Sequence, residues 1–385
     1  MGERAPGSAS AVAAGLLACL VGFGGALPVV LAAAAAVGAT PGQTASWVAG
    51  LCIAIAVSTA ALSLRYRLPI VTAWSTPGAA VIAATSGVPI VAAAGAFVAV
   101  ALAIVLTSTL QPLARLIERL PMPIAQAMLA GVLFRFVADV ALAVPVSPVL
   151  VLPMVGVFLV VRLFNPMAAA LAALAIGVAV AAASGTIAWD RAVLAPPHLE
   201  LVVPRFDAGV LLGLGLPLFL VTMASQNLPG FAVLRSHGYT PPTRPILAVT
   251  GLVSLLSAPL GAHTSNLAAI SAAICTGPDC HPDPARRWIA GVTNAVAYAT
   301  LAVLGASVVA VFAALPKALI ATVAGLALVG AFAAALAGAI GEEKDRFAAV
   351  ATFAVTASGM TVSGVGAPFW GLVAGLAVAM LQRCK

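Results

Sequence analysis

Long apolar runs separated by short breaks of charge, glycine or proline extend along the whole chain. Within each run the apolar residues are continuous rather than alternating, which favours membrane helices over the strands of a barrel. A helix needs about 20 such residues to cross a bilayer. The breaks predict fourteen spans, seven in each half: 11–38, 43–64, 75–86, 90–110, 122–140, 147–163 and 166–185, then 208–232, 244–258, 264–275, 287–314, 317–339, 346–361 and 366–382.

Composition agrees with this pattern, since 63% of the residues are hydrophobic and only 8% are charged. About a quarter of a soluble domain is charged, so the sequence indicates an integral membrane protein. The predicted fold class is all-α, with no region left for a sizeable soluble domain. The first run continues without charge to about residue 37, so we predict an uncleaved span rather than a signal peptide.

The basic residues predict the orientation of the chain. With the N-terminus in the cytoplasm, 14 of the 18 Lys and Arg residues fall in inner loops, as the positive-inside rule requires. The net charge of +7 is therefore a topology signal, and we expect no nucleic-acid partner. Both termini are then cytoplasmic. Because each half has an odd number of spans, the second half must enter the membrane from the opposite side. We therefore predict two inverted repeats, at 1–185 and 208–385, joined by an outer linker at 186–207.

Two polar segments, Trp74–Gly78 and Gly261–Asn266, interrupt the apolar pattern at corresponding places in the two halves. Each opens an apolar run of only about ten to twelve residues, too short to span a bilayer as a helix. Paired interrupted segments of this kind are typical of the binding sites of secondary transporters. We therefore expect two half-helices whose N-termini meet near the middle of the membrane.

Helix N-termini attract anions, because they carry unpaired N–H groups and a partial positive charge. Uncharged polar side chains in or near these segments could bind an oxygen ligand. The candidate substrate-binding residues are Ser75, Thr76, Gln226, Asn227, Thr264, Ser265 and Asn266. The alternative is that they cap their own helices or, for Gln226 and Asn227, clamp neighbouring helices together. Pro77 suits an early helix position, whereas Pro28 and Pro229 interrupt the first and eighth spans.

Three further residues are candidates for coupling or gating. His263 is the one histidine predicted at membrane depth, so it could carry a proton, although a neutral histidine that holds the backbone is the alternative. Arg135 and Asp139 are spaced i, i+4 in the fifth span, so we expect them to pair, with a gating role as the alternative.

The sequence does not indicate a metal site or an enzyme. Cys275–His281 contains two cysteines and a histidine but lacks a fourth ligand for zinc. The five cysteines are mostly isolated, which implies no disulfide framework. No nucleophile–base arrangement or phosphate-binding loop is visible, so we expect no catalytic residues, cofactor or metal.

Several stretches of the chain resemble the benzoate/proton symporter (BenE) family of bacterial inner-membrane transporters. They are 121–133, 224–230, 261–270, 275–278 and 281–288. The resemblance implies a fold like that of the uracil permeases, with a core of spans 1–4 and 8–11 and a gate of spans 5–7 and 12–14. It also implies short strands in the interrupted third and tenth spans, at Leu68–Ala73 and Pro259–His263.

The resemblance implies import of benzoate, or a related aromatic carboxylate, together with protons across the inner membrane. Uracil permeases have acidic residues in the eighth and tenth spans, whereas this chain has Gln226, Asn227 and His263 there. An anionic substrate explains that difference, because a fixed carboxylate would repel it. A nucleobase or inorganic anion transporter of the same fold, and a passive anion channel, stay open as alternatives. The sequence also leaves open whether the protein forms a homodimer in the lipid bilayer.

Overall fold

The computed structural model of the protein describes residues 8–110, 121–191 and 195–383. We number the helices and strands of these residues in chain order. They are α1 Ala9–Ala36, α2 Pro41–Tyr66, β1 Thr72–Trp74, α3 Thr76–Ala83, α4 Ile90–Thr109, α5 Met122–Ala143, α6 Pro148–Phe164, α7 Ala169–Ala183, α8 Ala208–Ser236, α9 Thr243–Ser257, β2 Ser265–Leu267, α10 Ile270–Thr276, α11 Trp288–Ala314, α12 Lys317–Ile340, α13 Arg346–Ala357, β3 Thr361–Val362, β4 Val365–Gly366 and α14 Ala367–Arg383.

The described residues form a mostly helical membrane protein, as predicted. Among the described residues, eight helices are long and apolar enough to cross a bilayer: α1, α2, α4, α5, α8, α9, α11 and α12. Helix α9 is counted here to Leu260 and α11 from Pro284, because short 3₁₀ turns extend them. Helices α6, α7 and α14 are shorter but also apolar. Each predicted span overlaps a helix of the structure. The chain is therefore a multi-pass α-helical membrane protein.

Strands β1 and β2 pair antiparallel in the interior, with Thr72 opposite Leu267 and Trp74 opposite Ser265. Short strands thus occur in both interrupted segments. The first overlaps the expected Leu68–Ala73 only at its last two residues, whereas the expected position Pro259–His263 is wrong. The second strand begins after His263, because its position is set by pairing with β1 rather than by local sequence. We call β1 and β2, with the flanking Ser75, His263 and Thr264, the strand crossing.

Hydroxyl groups from two helices satisfy the strand backbones. The Thr72 N–H donates to Thr59 Oγ1 of α2 (3.0 Å), and the Ser265 N–H donates to Ser254 Oγ of α9 (2.8 Å). The Thr72 hydroxyl also bonds to those of Ser58 and Thr59, each at 2.7 Å. An extended backbone inside a membrane is tolerated only where protein groups pair with it. Each strand therefore depends on the helix that precedes it in the chain.

Helix α8 contains two π-helical turns, Leu211–Gly215 and Met223–Asn227. Each turn ends two residues before a proline, Pro217 and Pro229 respectively. Proline has no N–H to donate to the carbonyl four residues earlier, so the normal hydrogen-bond pattern cannot continue there. The helix remains continuous to Ser236. By contrast, α1 continues through Pro28 without a π-helical turn.

The helices pack in two groups. Helices α2 and α11 pack together, α4 packs on α9, and α1 contacts α3, α10 and α11. In the second group, α5 packs on α12 and α13, α13 on α14, and α6 on α7. Fewer contacts join the groups, among them α1 with α7 and α12, and α3 with α5. The strand crossing lies within the first group.

The expected Arg135–Asp139 pair is wrong, because no ion pair joins these exposed side chains in the structure. The Arg135 guanidinium instead lies against Gly359, which precedes the β3–β4 hairpin and has a φ of +67°. A basic residue four positions before an acidic one is the less favourable order on a helix. Arg135 therefore connects α5 to the hairpin rather than stabilising its own helix.

Arg287 organises the loop that joins α10 to α11. Its side chain is buried and donates to the carbonyls of His281 (2.7 Å), Thr276 (2.7 Å) and Pro282 (3.4 Å), and to the hydroxyl of Tyr239 (3.4 Å). Thr276 is the last residue of α10, so the cation also lies at the negative end of that helix. Arg287 fixes where the half-helix ends.

Of the two cysteines considered for a metal, Cys280 lies in this loop and Cys275 lies in α10 just before it. Burial raises the pKa of the Cys280 thiol to about 11, while the Arg287 guanidinium acts in the opposite direction. The thiol is therefore protonated at neutral pH, whereas zinc binds the thiolate. Among the described residues, no three His, Cys, Asp or Glu side chains are grouped to hold a metal ion.

We expect Arg287→Gln to lower the free energy of unfolding by about 2–4 kcal/mol, because several charge-assisted hydrogen bonds to buried carbonyls are lost. Unfolding in mixed micelles with increasing SDS measures this change. The neighbouring Arg286 is exposed and pairs at 3.9 Å with the exposed Asp283, so Arg286→Gln is the matched control. The control should change stability by about 0.5 kcal/mol or less. Equal losses in both variants would contradict the role assigned to Arg287.

Candidate functional site

The N-terminus of α3 is the first component of the site. Ser75 caps it: its side chain accepts from the Gly78 N–H (3.0 Å), and its own N–H donates to the Thr264 carbonyl (3.1 Å). Pro77 is the second helical residue and has no N–H, as the sequence predicts. This arrangement leaves the N–H of Thr76 as the donor without a hydrogen bond in the described part of the chain. The helix end is positive but offers little free backbone.

Thr222 of α8 joins the two interrupted segments. Its hydroxyl donates to Ser75 Oγ (3.2 Å) and lies 2.9 Å from Thr264 Oγ1. Because the single hydrogen of Thr222 goes to Ser75, Thr264 donates to Thr222. All three side chains are fully buried. Ser75 therefore caps its own helix, which was the alternative to ligand binding. Thr264 instead makes a hydrogen bond to a side chain of α8.

His263 is also fully buried and has a partner on each ring nitrogen. The Trp47 indole N–H donates to Nδ1 (3.0 Å), and Nε2 lies 3.1 Å from the Ser75 carbonyl. Since the indole can only donate and the carbonyl can only accept, the hydrogen of a neutral imidazole lies on Nε2. A second proton on Nδ1 would face the indole N–H. The ring also makes edge contacts with Trp47 and Phe97.

The second polar segment is extended, so the expectation that a half-helix starts at 264 is wrong. Helix α10 begins at Ile270 and has only seven residues. Ser265 and Asn266 lie in β2, fully buried, and Ser265 Oγ and Asn266 Oδ1 have no hydrogen-bond partner in the described part of the chain. The two segments therefore do not present equivalent helix ends.

Asn227 and Gln226 are adjacent but have different environments. Asn227 is fully buried, and its Oδ1 accepts from the Leu267 N–H of β2 (3.0 Å). Asn227 therefore ties α8 to β2, which resembles the structural clamp given above as the alternative to substrate binding. Gln226 is half-buried, and the described residues offer its amide no hydrogen bond. Thr76 is likewise half-buried with an unbonded hydroxyl. Gln226 and Thr76 are therefore the predicted residues best able to bind a ligand.

Sequence reasoning missed an aromatic cluster beside the strand crossing. The rings of Phe23, Trp74 and Tyr298 lie with centroids 5.5–6.5 Å apart, a normal range for aromatic contacts. All three are buried. The chain has three tyrosines, and Tyr298 is the one inside a long apolar run. A polar hydroxyl in such a run is the sequence feature that could have identified it as a candidate. Ser271, in the first turn of α10, was missed because it lies five residues beyond the polar segment.

No residue of the strand crossing has a formal charge when His263 is neutral. In the described part of the chain the acidic residues lie in loops or at helix ends, apart from Asp139 on α5. An anion near Thr76 would therefore meet hydroxyl, amide and backbone donors without a repelling carboxylate. Neutral donors can hold an anion and still release it, because no buried cation is left unpaired when it leaves.

Comparison with known proteins supports a transport role. The family described as "Benzoate membrane transport protein" matches residues 5–381. The "Inner membrane protein YdcO" of Escherichia coli is 39% identical over 363 residues, which are 94% of this chain and 93% of the relative. The "Benzoate membrane transport protein" of Acinetobacter baylyi is 36% identical over 373 residues, 96% of this chain and 94% of the relative.

The fold is similar to a solved transporter domain. The transmembrane domain of the cyanobacterial bicarbonate transporter BicA matches with a TM-score of 0.59 over 97% of both chains, at 16% sequence identity. At that identity the match establishes the fold alone. The family match covers nearly the whole chain, and both relatives exceed 30% identity over more than nine-tenths of it. The resemblance seen in the sequence is therefore confirmed, and this chain belongs to the benzoate membrane transport protein family.

Proposed function

We propose that the protein is a secondary active transporter that imports benzoate or a related aromatic carboxylate with protons. The observation that carries the proposal is a site of uncharged donors, beside a buried aromatic cluster, in a chain of the benzoate membrane transport family. Thr76 and Gln226 would bind the anion at the positive end of α3. Ser75, Thr264 and Asn227 would hold the segments that position them.

Proton coupling follows from the energetics of moving an anion inward. Carrying one negative charge against an inside-negative potential costs about 2.3 kcal/mol per 100 mV, and one accompanying proton removes that cost. Of the residues that the structure describes, the strand crossing contains no carboxylate to take the proton, and both nitrogens of His263 already have partners. We therefore assign the proton to the substrate carboxylate, which binds as the anion and takes up the proton for the inward step, where desolvation disfavours its charged form. His263 is then a neutral scaffold.

Alternating access would move one helix group against the other. We assign α1–α4 and α8–α11 to a core and α5–α7 and α12–α14 to a gate, in fourteen spans with both termini cytoplasmic. The packing of the helices supports this division. Matching hydroxyl-to-strand bonds, from α2 to β1 and from α9 to β2, support inverted repeats. Small residues on α1 face α7, with Gly24 against Leu171 and Gly25 against Ala170, and could permit sliding.

We expect proteoliposomes that contain the protein to accumulate labelled benzoate when the outside is acidic, and to lose most of this uptake when the gradient is collapsed. Uptake at a fixed external pH, with and without a protonophore, measures the coupling. A passive channel would show neither saturation nor accumulation against a gradient. Uptake that is unchanged by the protonophore would contradict symport. Competition by uracil or sulfate, rather than by aromatic acids, would favour the nucleobase or inorganic anion alternative.

We expect His263→Gln to lower benzoate uptake several-fold while the remaining uptake keeps its dependence on the proton gradient. The reason is that the side chain positions Ser75 and Trp47 rather than carrying the proton. Trp47→Phe, which keeps the ring but removes the N–H donor, should lower uptake in the same way. The exposed loop residue His237 provides the control His237→Gln. Residual uptake that no longer responds to the gradient would instead identify His263 as the proton carrier.

A further inference from the structure

Two hydroxyl groups with no protein partner meet at one point on α1. A methyl group added at Gly22 would lie 2.9 Å from Ser271 Oγ and 3.0 Å from the Tyr298 hydroxyl. The sum of these distances places the two oxygens within 5.9 Å of each other. Ser271 is 6% exposed and Tyr298 is 2% exposed. Neither hydroxyl makes a hydrogen bond within the described part of the chain.

Such a pair needs an explanation, because buried polar groups in folded proteins are almost always hydrogen-bonded. Several nearby hydroxyls do have partners: Thr222 bonds to Ser75 and Thr264, and Ser254 bonds to the backbone of Thr250 and Ser265. Ser265 Oγ is another buried hydroxyl without one in the described part of the chain. Ser271 and Tyr298 lie on different elements, α10 and α11, and both face Gly22 of α1, which has no side chain. A ligand atom near Gly22 would be within reach of both.

The surrounding chemistry indicates what the ligand is. A carboxylate can accept one hydrogen bond of about 2.7 Å from each hydroxyl, and the separation of the two oxygens allows one group to bridge them. Phe23 follows Gly22 on α1, and its ring lies 5.5 Å from that of Trp74 and 6.5 Å from that of Tyr298. The hydroxyl pair therefore adjoins apolar ring faces and edges. An aromatic carboxylic acid has a group for each of these partners: a carboxylate that the two hydroxyls can bind and, joined directly to it, a ring that the aromatic side chains can contact.

We propose that Ser271 and Tyr298 bind the carboxylate of an aromatic acid against Gly22, while Phe23 and Trp74 contact its ring. This subsite rests on the proposed function and assigns to it specificity-determining residues on α1, α10 and α11. Gly22 allows both hydroxyls to lie close to α1, because a side chain there would meet both of them. Thr76 and Gln226 then contribute donors from the α3 and α8 sides.

The test compares Tyr298→Phe and Ser271→Ala with the wild type, using benzoate as the probe. Binding is measured by tryptophan fluorescence of the purified full-length protein and transport by labelled uptake in proteoliposomes. We expect each substitution to weaken benzoate binding about tenfold, the effect of one hydrogen bond to a charged group. The thermal unfolding midpoint without benzoate should not fall, because no protein hydrogen bond is lost. A hydroxyl with a merely structural role would lower it.

Matched controls remove hydroxyls elsewhere. Tyr66→Phe acts at the end of α2, and Ser108→Ala removes a buried hydroxyl that bonds to the Val105 carbonyl of its own helix. Both controls should bind benzoate like the wild type. Wild-type affinity in Tyr298→Phe and Ser271→Ala would overturn the subsite. Wild-type protein that binds benzoate without transporting it would overturn the proposed function but not the subsite, and absence of any benzoate binding would overturn both.

Discussion

The antiparallel pairing of β1 with β2 is the constraint on which the rest of the interior depends. Three residues of extended chain from each half meet inside a bundle of helices, where no water is available to bond unpaired backbone groups. The structure supplies the missing partners from outside the strands. Thr59 and Ser254 bond to strand N–H groups, and Asn227 accepts from Leu267. The main role of the polar residues around the strand crossing is therefore to pair with the backbone groups of the two strands.

This constraint also determines which residues are free for function. The side chains of Ser75, Thr222, Thr264 and His263 all make hydrogen bonds to one another, to Trp47 or to the backbone. The remaining donors are Thr76 at the start of α3, Gln226 on α8, and the hydroxyls of Ser271 and Tyr298 near Gly22 of α1. They are uncharged, so they can stabilise an anion without the high cost of burying an unpaired charge once it has left. A strand crossing whose polar groups are paired, with a few unused donors on the neighbouring helices, suits the reversible binding of a carboxylate that we propose.

Much of the helical architecture could be predicted because the apolar runs are long and their breaks carry strong local signals. Ser75 followed by Thr76 and Pro77 specifies a helix start, and the structure has one there. The second segment misled the prediction because Ser265 and Asn266 also resemble cap residues, whereas pairing with β1 holds them extended. The i, i+4 spacing of Arg135 and Asp139 permits a pair but does not require one. Ser271 and Tyr298 are 27 positions apart, and only the packing of α10 and α11 around Gly22 brings them together.

The central claim is that an aromatic carboxylate binds in the helix group that contains the strand crossing. The most direct measurement is a structure of the protein with 4-bromobenzoate, in which anomalous scattering locates the bromine. The account predicts one peak among α1, α3, α8 and α10, with the carboxylate density directed toward the hydroxyl groups there. A peak confined to the surface of the bundle or to the α5–α7 and α12–α14 group would contradict it.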